Sequence, residues 1–503
     1  MKNKIAFILL SSIVGSQAAE RPNVILIYAD DLGKGMLSAY GQRYISTPNI
    51  DKIIADGISF ENAYGCMLSA PSRASLLTGY HDCHTDKWRI SEGGQFAILD
   101  TSVIAARENI INSKDILLPA EDLYLPQVFS RAGYVTGEIG KLEWGFTATR
   151  KQMHLHGWDY FYGYLDHVRC HGFYPPFLFN NDSIEIIEGN TMENCGKTLE
   201  PETKEAYSGR WDFTGKKQYS QDIFISKIKQ FISDNKERPF FLYHPTQLPH
   251  GPVQVKEIHP DIAGFEELTS IEKEYATMVK MLDDNVGEIV KELEKLGILE
   301  KTIIIFASDN GHEIYYAQKG RVEKPYRNMV NGELFDDYKN KYYSDLAGDI
   351  FNGNASMAGL KRSNLDGGVH IPLALYQKGI YDKGIVINEL VSMYDLLETF
   401  AQMNNIELKS KKDGVSLTGV LNGDKLPKER YVIYSSFIGG TIITNEGWKL
   451  RHYAPENIYE LYNLKKDSQE KKNVAEENIE ITNKLKSILI SECGGNIYNG
   501  VAK

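Results

Sequence analysis

Two continuous apolar segments limit the folds that this chain can adopt. Asn23–Ala29 (NVILIYA) and Thr302–Ala307 (TIIIFA) lack the alternation of a half-buried strand. Such segments are typical of parallel strands that are covered on both faces. Asp30–Asp31 follows the first segment, and Ser308–Gly311 (SDNG) follows the second. We therefore expect an α/β fold with a ligand site beyond the carboxyl ends of these strands.

Further segments predict the rest of the α/β fold. Pro239–His244 and Val135–Ile139 have the composition of buried strands, whereas Leu125–Ala132, Ile271–Leu296 and Ser392–Met403 have the periodicity of amphipathic helices. Strands that alternate with helices predict a large mixed, mostly parallel sheet sandwiched by helices.

The pattern changes near residue 429. Short predicted strands cover Arg430–Phe437, Gly440–Thr444 and Trp448–Tyr453, and Ile479–Ser491 predicts a closing helix. We therefore expect a smaller C-terminal subdomain of short strands and one helix. The expected organisation is a signal peptide over 1–18, the α/β domain over 19–428 and the C-terminal subdomain over 429–503.

Two stretches are less periodic than the rest. Tyr160–Trp211 is rich in glycine, proline, asparagine and aromatic residues, and Lys319–Gly353 is polar and rich in tyrosine. Both predict long surface insertions, the first over the active face. Long ordered loops often carry recognition.

Size and net charge limit the classes of partner that the chain can bind. The chain has 503 residues, of which 42% are hydrophobic, enough for a large core and two domains. A net charge of −11 gives no overall attraction to nucleic acid or to an anionic membrane surface. An anionic substrate would need a local basic pocket.

The N-terminal segment is typical of a secretory signal peptide. Lys2 and Lys4 precede the apolar stretch Ile5–Gly15, and Ser16–Ala18 offers small residues for cleavage. The apolar stretch is too short to cross a membrane, and no later segment predicts a span. We expect a periplasmic or secreted protein.

The five cysteines are irregularly spaced and form no CxxC pair of the kind that binds zinc. Because an exported chain permits disulfides, Cys170–Cys195 is one candidate pair. The odd number leaves at least one thiol free.

A helix start lies at Ser69, within Gly65–Tyr80 (GCMLSAPSRASLLTGY). Pro71 fits the first helical turn, and Gly79 fits the end. Backbone N–H groups at a helix start favour an anion, and the guanidinium of Arg73 suits a tetrahedral oxyanion. Taken alone, these residues also fit an ordinary N-cap and a solvated arginine.

Ser69–Gly79 (SAPSRASLLTG) resembles the signature of the formylglycine-dependent sulfatases of the alkaline phosphatase superfamily. In that family a Cys or Ser at the first position is oxidised to formylglycine. The resemblance implies that Ser69 is the catalytic residue, that the chain is of the serine type, and that its partner is a serine-type maturase. Cys66 lacks the following proline and arginine, so we exclude it. Glu460–Leu464 and Asn473–Ala475 resemble the sequence of the family's C-terminal subdomain. The resemblance implies that this subdomain is an antiparallel sheet with one helix.

The residues after the two apolar strands also match the family. Asp30, Asp31, Asp309 and Asn310 supply the oxygen ligands that a hard divalent cation prefers. Taken separately, each pair is an ordinary turn signal. The resemblance implies Ca²⁺, with the modified Ser69 completing the site.

Basic residues complete the implied site. The resemblance assigns Arg73, Lys141 and Lys361 to the sulfate oxygens. It assigns His250 to protonation of the departing alcohol. Lys141 follows a predicted strand, and His250 lies in Pro249–Pro252 (PHGP).

One position departs from the family pattern. The family commonly has Gly-Lys-x-His, whereas this chain has Gly140–Glu143 (GKLE). Glu143 stands where the family has the histidine that helps to release sulfate. A carboxylate can accept a proton, so Glu143 either replaces that histidine or contacts the substrate while another residue acts as base. His154 and His156 lie nearby in sequence.

The substrate implied by an exported enzyme of this type is a sulfated glycan. Arg169 and His171, in the first predicted insertion, are candidate contacts to sugar hydroxyls, although pairing with loop acids is equally consistent. His312 and Glu313 are further candidates. Two alternatives remain at this stage: a phosphate mono- or diester hydrolase of the same superfamily, and a catalytically silent glycan-binding relative.

Overall fold

The computed structural model describes residues 21–198, 204–317, 322–323, 327–328, 338, 341–380 and 384–502. The predicted signal peptide lies outside these residues. Most of the predicted insertion over 319–353 that precedes residue 341 also lies outside them.

Strands and helices alternate through the first four-fifths of the chain. The strands are β1 (Asn23–Ala29), β2 (Ile58–Tyr64), β3 (Val135–Lys141), β4 (Tyr160–Tyr164), β5 (Phe177–Asn180), β6 (Ser183–Ile186), β7 (Phe240–Pro245), β8 (Thr302–Ser308), β9 (Val322–Glu323), β10 (Arg327–Asn328), β11 (Leu373–Tyr376), β12 (Ile385–Ser392), β13 (Tyr431–Tyr434), β14 (Thr441–Thr444), β15 (Trp448–Tyr453) and β16 (Ile458–Asn463). The helices are α1 (Pro48–Asp56), α2 (Ser69–Thr78), α3 (Thr101–Lys114), α4 (Leu125–Arg131), α5 (Arg150–His156), α6 (Lys204–Arg210), α7 (Ser220–Asn235), α8 (Pro260–Ala263), α9 (Ser270–Lys295), α10 (Asp366–Val369), α11 (Asp395–Met403), α12 (Thr418–Leu421) and α13 (Ile479–Glu492). Short 3-10 helices cover Lys34–Met36, Ser38–Tyr40, Arg169–His171, Leu299–Lys301, Ser344–Ala347 and Ile497–Gly500.

The main sheet has ten strands in the order β12-β2-β11-β8-β1-β7-β3-β4-β5-β6. Its centre is parallel, because β1 pairs in parallel with both β7 and β8, and β3 pairs in parallel with β4 and β7. Strand β11 and the β5–β6 hairpin run antiparallel to their neighbours. The predicted mixed, mostly parallel α/β sheet is confirmed.

Helices cover both faces of this sheet, which explains the continuous apolar strands. In β1, Ile25 and Ile27 pack into one core with α7 and α9. Val24 and Leu26 pack into the opposite core with α4 and α11. Since both faces are buried, neither set of side chains can be polar.

Two sequence predictions about secondary structure are wrong. The stretch Tyr160–Trp211 is not simply a loop insertion, because β4, β5 and β6 extend the main sheet within it. The predicted helix Ser392–Met403 begins only at Asp395, since Ser392 ends β12. Strands β4, β5 and β6 are too short to give a clear hydrophobic pattern in the sequence. Strand β12 lies at the edge of the sheet and has a register shift, so its pattern is irregular.

A separate four-stranded antiparallel sheet, β13-β14-β15-β16, forms the C-terminal part of the described chain. Leu485 and Leu489 of α13 pack against Ile442, Leu450 and Leu461 of this sheet. The predicted antiparallel sheet with one helix is confirmed. Within the described residues, no helix combines the length and the apolar character that crossing a bilayer requires.

The candidate disulfide Cys170–Cys195 is wrong. All five cysteines are buried free thiols. Cys170 instead donates its thiol hydrogen to the carbonyl of His167 over 3.0 Å. Burial raises the pKa of both Cys170 and Cys195, to about 12 and about 11, so these thiols are held in the neutral form.

Candidate active site

Helix α2 carries the residues that organise the site. It begins at Ser69 and ends before Gly79, whose φ of 75° closes the helix in the left-handed region. Arg73 is fully buried, so a solvated surface arginine is excluded. The Ser69 hydroxyl donates to Oδ1 of Asp30 over 2.6 Å and lies 3.4 Å from Oδ1 of Asn310. The start of α2 therefore faces the ends of β1 and β8.

Strand register brings the acidic residues together. Ala29 of β1 pairs with Ser308 of β8, so Asp30 and Asp309 follow side by side at the same sheet edge. The backbone N–H of Asp31 donates to Oδ1 of Asp309 over 3.0 Å. Asn310 donates from Nδ2 to Oδ1 of Asp31 over 2.8 Å. We call Asp30, Asp31, Asp309 and Asn310 the acidic cluster.

Three cations from different elements contact this acidic cluster. Lys141, the last residue of β3, places Nζ 2.7 Å from Oδ2 of Asp30. Arg73 places Nη2 3.0 Å from Oδ2 of Asp309, and its Nε and Nη1 make no hydrogen bond among the described residues. Lys361, in the loop before α10, places Nζ 2.6 Å from Oδ2 of Asp31.

A glycine allows Lys141 its position. Gly140 has a φ of 138°, and a Cβ there would lie 2.2 Å from the carbonyl oxygen of Pro245. Any other residue would push β3 away from β7. The pair Gly140–Lys141 is thus a consequence of close strand packing at the sheet edge.

Electrostatics within the acidic cluster are strongly shaped by burial. Burial opposes ionisation of Asp30, but the surrounding cations, Lys141 first, hold its pKa well below the usual range. Burial and repulsion from Asp30 raise the pKa of Asp309 to about 7. Burial lowers the pKa of the Lys141 ammonium, yet attraction to Asp30 outweighs it and the pKa is raised. Three carboxylates so close together require positive charge nearby.

His250 and Tyr315 close one side of the cluster. His250 Nε2 lies 3.5 Å from Oδ2 of Asp31 and 3.2 Å from Nζ of Lys361. Burial and repulsion by Lys361 lower the pKa of His250 to about 3, so its imidazole is neutral. The Tyr315 hydroxyl donates to Oδ2 of Asp31 over 2.5 Å. Nothing in the sequence pattern marked Tyr315, because its partner lies 284 residues earlier.

The acidic cluster has the donor set of a hard divalent cation. Its side chains present carboxylate and amide oxygens, and the Ser69 hydroxyl lies within hydrogen-bond distance of two of them. Burial, and then repulsion from Asp30, raises the pKa of Asp309, so a cation bound beside it would favour its ionised form. Oxygen donors in this number suit Ca²⁺. The residues present therefore fit the metal that the sequence resemblance implies.

The carboxylate of Glu143 is hydrogen-bonded to buried neighbours. Its Oε1 accepts a hydrogen bond of 2.7 Å from Nε1 of Trp158, and its Oε2 lies 2.9 Å from Nδ1 of His156. Its backbone N–H donates to Oε1 of Glu138 over 2.8 Å. Both carboxylate oxygens are thus engaged by buried partners, which favours a positioning role over that of a base. His154 instead pairs with Asp182 at the surface.

Of the candidate glycan contacts, His171 lies beside His250. Its ring stacks on that of His250 with centroids 4.5 Å apart. Arg169 is 7% exposed, donates to the carbonyl of Ala97 and lies over the ring of Phe177. Arg169 is therefore held by packing inside the protein, and its contact to a sugar hydroxyl stays a prediction.

His312 and Glu313 are also turned into the protein. His312 is fully buried, with Nε2 2.8 Å from the hydroxyl of Tyr316. Glu313 forms an ion pair with Arg362. Both residues hold the loop after β8 in place, and their side chains offer a glycan no open surface.

Ser69, the acidic cluster and three buried cations meet at the carboxyl ends of β1 and β8. This arrangement suits a hydrolase of tetrahedral oxyanion esters. The Sulfatase family model matches residues 22–406, and the C-terminal model of N-sulphoglucosamine sulphohydrolase matches residues 360–493. The chain belongs to the sulfatase family and is a sulfuric ester hydrolase.

Similar proteins agree with this assignment. An N-acetylgalactosamine-6-O-sulfatase of Bacteroides thetaiotaomicron is 26% identical, over 94% of each chain. The human N-acetylgalactosamine-6-sulfatase is 26% identical over 83% of this chain and 69% of its own. A solved structure from work on glycosaminoglycan metabolism by Bacteroides thetaiotaomicron has a TM-score of 0.69 at 24% identity, and covers 95% of this chain and 100% of that one. The last likeness concerns the fold alone.

Proposed function

We propose that this chain is an exported sulfatase that hydrolyses a sulfate ester on a glycan, with a formylglycine made from Ser69 and a Ca²⁺ ion. The observation that carries the proposal is the Ser69 hydroxyl at the start of α2, 2.6 Å from Asp30 and inside the acidic cluster. The names of the two relatives make N-acetylgalactosamine 6-sulfate the first sugar to test.

The chain's own residues would bind the sulfate and handle one proton. Arg73, Lys141 and Lys361 already converge on the acidic cluster, where they can hold the sulfate oxygens and stabilise developing charge. When present, Ca²⁺ and formylglycine would supply charge neutralisation and a hydrated aldehyde as nucleophile. Asp30, Asp31, Asp309, Asn310 and residue 69 would hold the metal.

His250 would deliver the proton to the departing alcohol. Its Nδ1 contacts the carbonyl of Gly251, so that nitrogen carries the hydrogen and Nε2 accepts from Lys361. The Lys361 ammonium therefore stays charged and orients Nε2, and a proton that Nε2 takes up from solvent would pass to the leaving oxygen. His171, stacked on the same ring, would fix the orientation of His250.

Export and maturation belong to the same proposal. The residues before position 19 have the pattern of a signal peptide, so the protein would act in the periplasm or outside the cell. The serine at position 69 calls for a serine-type maturase as partner.

The test is the mass of the peptide that spans Ser69, from protein made with a serine-type maturase, together with assays on paired sulfate and phosphate esters. Loss of two hydrogen atoms at Ser69 with release of sulfate supports the proposal. Unmodified serine in protein that still hydrolyses esters would overturn it and favour the phosphate-ester alternative.

A further inference from the structure

Asp31, the second residue after β1, has an unusual backbone conformation. Its φ of 65° lies in the left-handed region, which a residue with a side chain adopts only where its surroundings hold it there. Its backbone N–H donates to Oδ1 of Asp309 over 3.0 Å. The backbone at Asp31 is thus fixed to the end of β8, and its carboxylate is oriented by its own hydrogen bonds.

The two carboxylate oxygens of Asp31 are used unequally. Oδ2 accepts from the hydroxyl of Tyr315 over 2.5 Å and from Nζ of Lys361 over 2.6 Å. Oδ1 accepts from Nδ2 of Asn310 over 2.8 Å. A carboxylate oxygen has two lone pairs. Among the described residues, the hydrogen bonds to Oδ2 are therefore complete, and one acceptor position remains on Oδ1.

Tyr315 is held in place by the loop after β8. The residue is 5% exposed, and its backbone N–H donates to the carbonyl of Glu313 over 3.1 Å. Glu313 forms an ion pair with Arg362. Lys361, the neighbour of Arg362, donates its backbone N–H to the carbonyl of His312 over 2.8 Å. The loops that carry Tyr315 and Lys361 are therefore joined twice, and together they present both donors to Oδ2.

The next tyrosine along the chain has different partners. Tyr316 is 1% exposed, and its hydroxyl donates to Oδ1 of Asp349 over 2.6 Å and lies 2.8 Å from Nε2 of His312. Among the described residues, no hydrogen bond joins its hydroxyl to the acidic cluster. The two tyrosines thus make similar hydrogen bonds to carboxylates, but only the hydroxyl of Tyr315 acts on the cluster.

We propose that Tyr315 is a positioning residue for the calcium ligand Asp31. Its hydroxyl and Lys361 hold Oδ2, and the remaining acceptor position on Oδ1 is left for the cation. Hydrogen-bond partners of a metal-binding side chain fix its orientation, and their loss typically costs about 10- to 100-fold in metal affinity or activity. The calcium site rests on the proposed function, whereas the assignment of Tyr315 to Asp31 rests on the hydrogen bond between them.

The experiment compares Ca²⁺ binding by two variants that each lose one hydroxyl, Tyr315→Phe and Tyr316→Phe. Full-length protein with unmodified Ser69 would be freed of metal with a chelator and titrated with Ca²⁺ by calorimetry, so that no turnover is needed. Tyr315→Phe should raise the Ca²⁺ dissociation constant about tenfold or more. Tyr316→Phe is the matched control and should stay within about twofold of the parent. Because each variant loses one hydrogen bond to a carboxylate, both should lower the unfolding temperature of the metal-free protein by a similar amount.

A second measurement separates the positioning of Asp31 from a contact with the reaction. In protein that releases sulfate, kcat of Tyr315→Phe should approach that of the parent as Ca²⁺ is raised to saturation. A low kcat at saturating Ca²⁺ with a parent-like dissociation constant would overturn the inference. That result would assign Tyr315 to His250, whose ring centroid lies 5.1 Å from its own.

The other outcomes distinguish this inference from the proposed function. Equal Ca²⁺ dissociation constants in the parent and Tyr315→Phe, or equal weakening in both variants, would overturn the role of Tyr315 and leave the calcium site intact. A parent protein that binds no Ca²⁺ would overturn both. Protein that shows the expected difference in Ca²⁺ binding but releases no sulfate keeps the role of Tyr315 and loses the proposed activity.

Discussion

The hydroxyl of Ser69 donates a hydrogen bond of 2.6 Å to Oδ1 of Asp30. This contact joins the first residue of α2 to the first residue after β1, and so joins the helix start to the acidic cluster. It places the side chain at position 69 next to the cluster that Arg73, Lys141 and Lys361 surround.

Replacing Ser69 by alanine should abolish sulfate release and leave the fold intact. One buried hydrogen bond is lost, which costs about 1 kcal/mol of unfolding free energy. Sulfate release and thermal unfolding would be measured on the same preparation. Thr78→Val, which removes the hydroxyl at the other end of α2, is the control and should retain activity. Parent-like rates in Ser69→Ala protein would refute the role of this residue.

Calcium should stabilise the protein through the acidic cluster. A cation that binds only the folded chain adds about 2.7 kcal/mol at 100 times its dissociation constant. We therefore expect the unfolding temperature to rise with Ca²⁺ and fall with a chelator. Asp309→Asn should weaken this response, whereas Asp182→Asn, at an exposed side chain, should keep it. A melting curve insensitive to Ca²⁺ would contradict the assignment.

The sequence predicted the strand ends and all four residues of the acidic cluster, for a physical reason. The central strands β1 and β8 are buried on both faces, so their apolar runs are unmistakable, and the polar residues after them must lie at one sheet edge. Strand β12 could not be predicted in this way. It lies at the sheet edge, its burial is broken, and its register shifts between Ile387 and Leu390.

Side-chain partners were harder to predict than positions. The sequence placed Glu143 after β3 but could not show that Trp158 and His156 occupy both of its oxygens. Arg169 looked like a surface contact, yet it packs over Phe177. Contacts between side chains of distant segments depend on the paths of the connecting loops. A local sequence pattern does not contain that information.

Glu143→Gln separates the two roles considered for this residue. An amide can still accept from Trp158, but its NH₂ group opposes the Nδ1 hydrogen of His156. We expect a loss of about 1–3 kcal/mol in unfolding free energy and a fall in kcat of no more than about tenfold. Urea unfolding and initial rates on a monosaccharide sulfate would measure both. A fall of several hundredfold in kcat with unchanged stability would instead identify Glu143 as the base.

Lys361→Gln should damage catalysis more than folding. Lys361 stands 2.6 Å from Asp31 and 3.2 Å from His250, so its loss removes both a cation for sulfate and the hydrogen bond that orients His250. Removing one such group from a preorganised site costs about 10² to 10³ in kcat. Lys378→Gln, at the half-exposed pair with Glu300, is the matched control and should stay within about twofold, as surface ion pairs contribute little. Similar rates in both variants would exclude Lys361 from the reaction.

The far end of α2 should make stability depend on pH. His84 Nε2 lies 2.9 Å from Oδ2 of Asp413, which also accepts from the backbone N–H of His81. Burial opposes the charged form of both side chains, but their mutual contact outweighs it, raising the pKa of His84 and lowering that of Asp413. The stabilisation from His84 is complete below its unfolded pKa of about 6.5 and fades as the pH rises through the folded value. The stabilisation from Asp413 is complete above about pH 4, and it fades as the pH falls through the folded-state pKa of Asp413.

The two limits define a window between about pH 4 and pH 6.5 in which the pair stabilises the fold most. Thermal unfolding of the parent and of Asp413→Asn, followed from pH 4 to pH 8.5, should therefore differ most inside that window, and the difference should narrow as the pH rises past the folded pKa of His84. His84→Gln should remove the same alkaline decline, because the titrating group is gone. A constant difference between parent and Asp413→Asn at every pH would mean that Asp413 acts through its backbone hydrogen bond to His81 and not through charge.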